Sequence, residues 1–87
     1  MDLDALLYHY FGTEAIETLD DAAIESGLER LRIDFGTERE SSRRFALWVL
    51  LHGLGEAPDP AIAFKDQRER EAAQNYARAV DREERGS

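Results

Sequence analysis

TERESSRRFALWVLLHG, residues 37–53, decides how the rest of the chain is read. Thr37-x-x-Glu40 has the form of a capping box, and Glu40 and Arg44 stand at the spacing of a supporting i,i+4 pair. Phe45 to Leu51 is then an unbroken apolar run that ends near Gly53 or Gly55. The pattern predicts a helix over 38–53. At about 100° per residue, Leu47, Leu50, Leu51 and Leu54 make one face of it, and Phe45, Trp48, Val49 and His52 make the opposite one. A helix that is apolar on both sides either runs through the centre of a core or joins that core to a second interface.

Upstream, Ile24, Leu28, Leu31 and Phe35 repeat as i, i+4, i+7 and i+11, which predicts a helix over 19–35 stopped by Gly36. Thr18-x-x-Asp21 approximates its capping box. Gly27 lies at the edge of this stripe, where a missing side chain lets another helix approach closely, at a cost of about 1 kcal/mol in helix propensity relative to Ala. Leu3, Leu6, Leu7, Tyr10 and Phe11 form the stripe of a first helix over 3–11, with Asp2 as N-cap and Gly12 just past its end. Thr13 to Thr18 is a connector carrying Ile16, with room for one helical turn. The tetrapeptide Phe-Gly-Thr-Glu occurs at 11 and again at 35, but the flanking residues do not align, so it marks helix ends rather than a repeat.

Downstream, Gly53 to Pro60 is the main break in the pattern. Asp59-Pro60 reads as an N-cap followed by Pro at the first helical position, opening a short turn near 60–65 that carries Ile62 and Phe64. Asp66-x-x-Glu69 opens a last helix over 67–82, with Ala72, Ala73, Tyr76, Ala79 and Val80 on one face and a tail fraying from about 83. That small-residue face buries little area, which predicts a peripheral helix. No segment alternates with period two, so the expected class is all-α, a compact bundle of about four helices forming one domain over 1–87. Its expected core is Leu6, Leu7, Phe11, Leu28, Leu31, Phe35, Leu47, Leu51 and Leu54.

With 87 residues and no Cys, the chain has neither a disulfide framework nor a thiolate metal site, and a cytoplasmic setting is expected. The longest apolar run, seven residues, falls far short of the roughly 18 that a membrane span requires. Met1 is followed by Asp2 and Asp4 rather than by a basic leader, so no secretory or membrane role is expected. Ten Arg against one Lys suggest GC-rich coding, and the composition resembles that of small bacterial proteins.

The net charge of −8 is unevenly spread. Asp2, Asp4, Glu14, Glu17, Asp20, Asp21, Glu25 and Glu29 stand in a stretch, 1–29, that has no Lys or Arg, whereas 30–87 holds eleven residues of each sign. An acidic surface of this kind repels phosphate and disfavours nucleic acid or an anionic membrane as partner.

No residue set specifies a reaction. His9 and His52 fall on different helices at no metal-ligand spacing, so no metal site is expected. Ser26, Ser41 and Ser42 lack a nucleophile context, and Gly53-Leu54-Gly55 follows a helix instead of the strand a phosphate loop needs. The sequence thus points to no catalytic residue and no cofactor. Two helices broken at Gly36, with Arg39, Arg43 and Arg44 opening the second, have the outline of a helix-turn-helix, but the second turns wholly apolar too soon to lie along a major groove.

Two readings of function remain ahead of that one. The first is a non-enzymatic interaction module, a small helical adaptor or regulator that binds another protein and self-associates as a homodimer through Phe45, Trp48, Val49 and His52, Trp being a favoured interface anchor. The second is an acidic mimic that blocks the basic surface of a nucleic-acid-binding protein with the eight acids of residues 1–29.

Overall fold

The computed structural model describes residues 3–86, with side chains through 83. Helix α1 spans Leu3–Phe11, a 3-10 turn spans Ile16–Thr18, and α2 spans Asp21–Thr37. Helix α3 covers Ser41–Gly53, α4 covers Pro60–Ala63 and α5 covers Gln67–Gly86. Among the described residues there is no strand, and the class is all-α as the pattern predicts. Helices α1, α2 and α5 all pack on α3, and α4 packs on α5.

The helix ends follow local chemistry, though not always at the expected residue. Gly12, at φ +73°, sends its amide to the Tyr8 carbonyl at 2.8 Å, the single-bond left-handed stop that glycine makes without Cβ strain. The proposed cap Asp2 lies outside the described residues. For α2 the cap is Asp20, whose carboxylate accepts from the Ala23 amide at 2.8 Å, and not Thr18. The Thr18 hydroxyl is already engaged, donating to the Ala15 carbonyl at 2.7 Å within the preceding turn.

Helix α2 also runs past Gly36 to Thr37, whose hydroxyl donates back to the Ile33 carbonyl at 3.1 Å. Thr37 is therefore not the cap of α3. Glu40 takes that place, its carboxylate accepting from the Ser42 amide at 3.2 Å and the Arg43 amide at 2.7 Å, and from the Ser42 hydroxyl at 2.7 Å. The Ser42 hydroxyl first, and the two amides next, hold this carboxyl below the usual carboxylate range.

At the far end of α3, Gly55 at φ +77° donates to the His52 carbonyl at 3.0 Å and Glu56 donates to Leu51 at 2.9 Å, the paired bonds of a Schellman stop. Asp59 caps α4 through the Ala61 amide at 2.8 Å with Pro60 at the first position, and Asp66 caps α5 through the Arg68 amide at 2.8 Å. Helix α5 continues to Gly86, four residues beyond the expected end.

Seven of the nine expected core residues are buried, and Leu7 and Leu54 pack against them half-buried. The interior also takes Tyr10, Trp48, Val49, Leu50, Phe64 and Ala73. Ala73 is fully enclosed, and Tyr76, Ala77 and Val80 continue its side of α5, while Ala72 and Ala79 are exposed. The buried stripe of α5 is thus rotated from the expected one, because Tyr76 has an aromatic cluster on α3 to meet.

Candidate partner-binding site

Helix α3 was expected to present two apolar faces, but in the fold it presents three. Leu47 and Leu51 point into the centre and are almost completely enclosed. The aromatic side is covered from within the chain. Trp48 is 1% exposed, lies against Phe64 with ring centroids 5.9 Å apart, stacks on His52 at 5.1 Å, and donates from Nε1 to the Pro58 carbonyl at 3.0 Å. Phe45 and His52 are half-buried, each meeting the Tyr76 ring, and Val49 is 9% exposed. The residues expected to anchor a partner are therefore brought together, but Trp48 is the centre of an internal aromatic cluster. Trp48 itself offers no open surface to a second copy, because packing against Phe64 and Tyr76 and the bond to Pro58 already satisfy both the apolar area and the N–H of its indole.

The third face lies between those two. Ser42, Phe45, Ala46, Val49, Leu50, Gly53 and Leu54 follow one another at i, i+3, i+4, i+7, i+8, i+11 and i+12, and they line two adjoining open depressions of about 420 and 320 Å³. The second depression is walled by Leu3, Asp4 and Leu7 of α1, by Ile16 of the 3-10 turn and by Tyr76 of α5. Leu3 and Val49 line both, so the two join into one groove along α3. Leu3 is 38% exposed, and Leu7, Ile16, Phe45, Leu54 and Tyr76 are half-buried. Asp4 is the charged residue among the lining side chains, and no Lys or Arg lines the groove. The stripe is present in the sequence, but its small members, Ala46 and Gly53, carry too little hydropathic signal to mark it as a face of its own.

The acidic residues Asp4, Glu14, Glu17, Asp20, Asp21, Glu25 and Glu29 are all exposed, and Asp2 lies outside the described residues. Asp20 is additionally a helix cap. Elsewhere in the chain Arg32 pairs with Glu56 at 2.7 Å and Arg43 with Glu38 at 3.5 Å.

No family model matches the chain, and it has no match among curated proteins or solved structures. What the groove can do therefore rests on its own geometry.

The arginines at the start of α3 differ in how they are held. Arg44, half-buried, lies over the Phe35 ring at 4.2 Å and donates to the Ala63 carbonyl at 2.6 Å, tying α4 to α3. Arg43 pairs with Glu38, and Arg39 is exposed. His9 is exposed and meets the edge of Tyr10 at 4.8 Å, far in the chain from the His52 stack. Among the described residues no group of three His, Cys, Asp or Glu is placed to share a metal ion, and no helix is long and apolar enough to cross a membrane.

Proposed function

We infer that the chain is a non-enzymatic protein–protein interaction module, a small helical adaptor or regulator working in the cytoplasm. The observation that carries this reading is the groove along α3. Along it, half-buried Phe45 and Leu54 flank the buried Ala46, Val49 and Leu50, and half-buried Leu7, Ile16 and Tyr76 wall its second part without closing over it. Helical domains commonly use such grooves to receive a helix of a partner. The acidic-mimic reading keeps one favourable observation, the exposure of every described acid in residues 1–29.

The two readings differ in salt response. An apolar groove keeps its partner at ~1 M salt, where the Debye length is ~3 Å, whereas a purely acidic surface releases it. The experiment is capture of a partner by the immobilised chain and by a folded Leu7→Lys variant, each washed at low and high salt. A partner held by the parent at high salt and lost from the variant supports the groove. One held equally by both and released by salt supports the mimic instead.

A further inference from the structure

The groove has the length and chemistry of a particular occupant. From Ser42 to Leu54 its floor covers twelve residue steps of α3, about 18 Å or three helical turns at 1.5 Å per residue. A floor of Phe45, Val49 and Leu50, walled by Leu3 of α1 along its length and by Tyr76 of α5 opposite in its second part, suits a helix that offers apolar side chains at i, i+3, i+4 and i+7. Charge then selects among such helices. Asp4 stands in the wall, and exposed Glu14 and Glu17 flank Ile16, all within the stretch that has eight acids and no base. A second copy docked symmetrically, groove against groove, would bring two such stretches together, like charge against like. A helix with Lys or Arg beside its apolar stripe meets opposite charge at the same rim, which speeds encounter and rejects acidic competitors.

We propose that the groove between α1 and α5 receives a basic amphipathic helix of another protein. This rests on the interaction-module reading and adds the chemistry of the occupant.

The test titrates the isotope-labelled full chain with a synthetic Leu/Lys amphipathic peptide of about 14 residues, four turns, and with its Leu/Glu counterpart. The Leu/Lys peptide should shift the signals of Leu7, Val49, Leu54 and Tyr76, and the Leu/Glu peptide should bind at least about tenfold more weakly. Leu7→Lys, and independently the more exposed Leu3→Lys, should each weaken the Leu/Lys complex about tenfold while the fold is retained, by placing a cation against the bound helix. The peptide exchange needs no variant, so it stands even if Leu7→Lys fails to fold. Equal binding of both peptides in the groove overturns the basic occupant while leaving the interaction module in place. Groove shifts that grow with the chain's own concentration, without peptide, overturn it in favour of a second copy. Shifts confined to Glu25, Glu29 and their neighbours on α2, or no binding by either peptide, overturn the groove itself.

Discussion

Trp48 donates from its indole Nε1 to the Pro58 carbonyl at 3.0 Å, and this bond seats the loop between α3 and α4 on the aromatic cluster. The loop's other anchors are the backbone bonds of the Gly55 stop and the Arg32–Glu56 pair, which is exposed and contributes little. The indole therefore both fills the interior and fixes the path by which the chain returns to cover it. Trp48→Phe keeps much of the ring packing but leaves the Pro58 carbonyl without this donor, and should cost about 1–3 kcal/mol. Trp48→Glu introduces an unpaired charge into the interior and should unfold the chain. Chemical denaturation of both variants checks this, and a folded Trp48→Glu chain would place the indole outside the core.

Gly27 predicts an inverted substitution effect. In an exposed helix interior, Gly to Ala gains about 1 kcal/mol. A Cβ at Gly27, however, would overlap the Phe11 ring and stand 2.9 Å from the Tyr10 carbonyl oxygen. The ring can turn aside, but the carbonyl belongs to the α1 backbone and also accepts from Arg30 at 2.5 Å. Gly27→Ala should therefore destabilise by about 1–3 kcal/mol through forced separation of α1 and α2. A thermal melt equal to or above that of the parent would show that the two helices can part without loss.

The same glycine illustrates what the sequence makes legible. Its position at the edge of an apolar stripe was enough to predict close approach of another helix, because a small residue in an otherwise large stripe has a steric meaning on its own. The bounds of α1 were equally readable, since a stripe and a glycine stop coincide. Caps were harder. Thr18 and Asp20, or Thr37 and Glu40, compete as the starting point of the same helix, and in both cases the threonine hydroxyl is already taken by the preceding turn. The coverage of Trp48 was not legible, because it requires Phe64 and Tyr76 to fold back across the Gly53–Pro60 break, and helical periodicity carries no information across such a break. The groove lay hidden for a related reason: a two-face division of α3 ignores the sector that only the spacing of α1 and α5 leaves open.

Leu31 and Leu51 are the central aliphatic contacts of α2 and α3, at 0% and 1% exposure. Truncation of either to Ala removes buried methyl groups and leaves a cavity that packed helices fill only in part, with an expected cost of about 2–5 kcal/mol. For a domain of this size that is a large share of the total stability. Ile62, at 81% exposure, is the matched control, and Ile62→Ala should stay within about 0.5 kcal/mol of the parent. Equal melting temperatures for the Leu51→Ala and Ile62→Ala chains would contradict the placement of α3 at the centre.

Tyr10 links α1 to α2 through its hydroxyl, which donates to Asp34 Oδ2 at 2.6 Å, and the residue is only 2% exposed. Burial first, and then the hydrogen bond to Asp34 and its negative charge, push the phenol well above its ordinary range. The direction fixes the sign of the pH effect. In the unfolded chain the phenol ionises near ~10, whereas in the folded chain it keeps its proton to higher pH. The folded state therefore binds more protons above that point, and the stability this group contributes is fully present below pH ~10 and lost as pH rises further. Over that interval the loss should approach about 1.4 kcal/mol per pH unit from this one residue. Tyr10→Phe should cost about 1–2 kcal/mol at neutral pH through the missing bond to Asp34, and its stability should then decline less steeply above pH ~10. Urea unfolding of parent and variant, in steps between about pH 8 and about pH 11, measures both slopes. Parallel declines would mean that the Tyr10 phenol ionises alike in the folded and unfolded chain, and the Asp34 contact would then contribute nothing to alkaline stability.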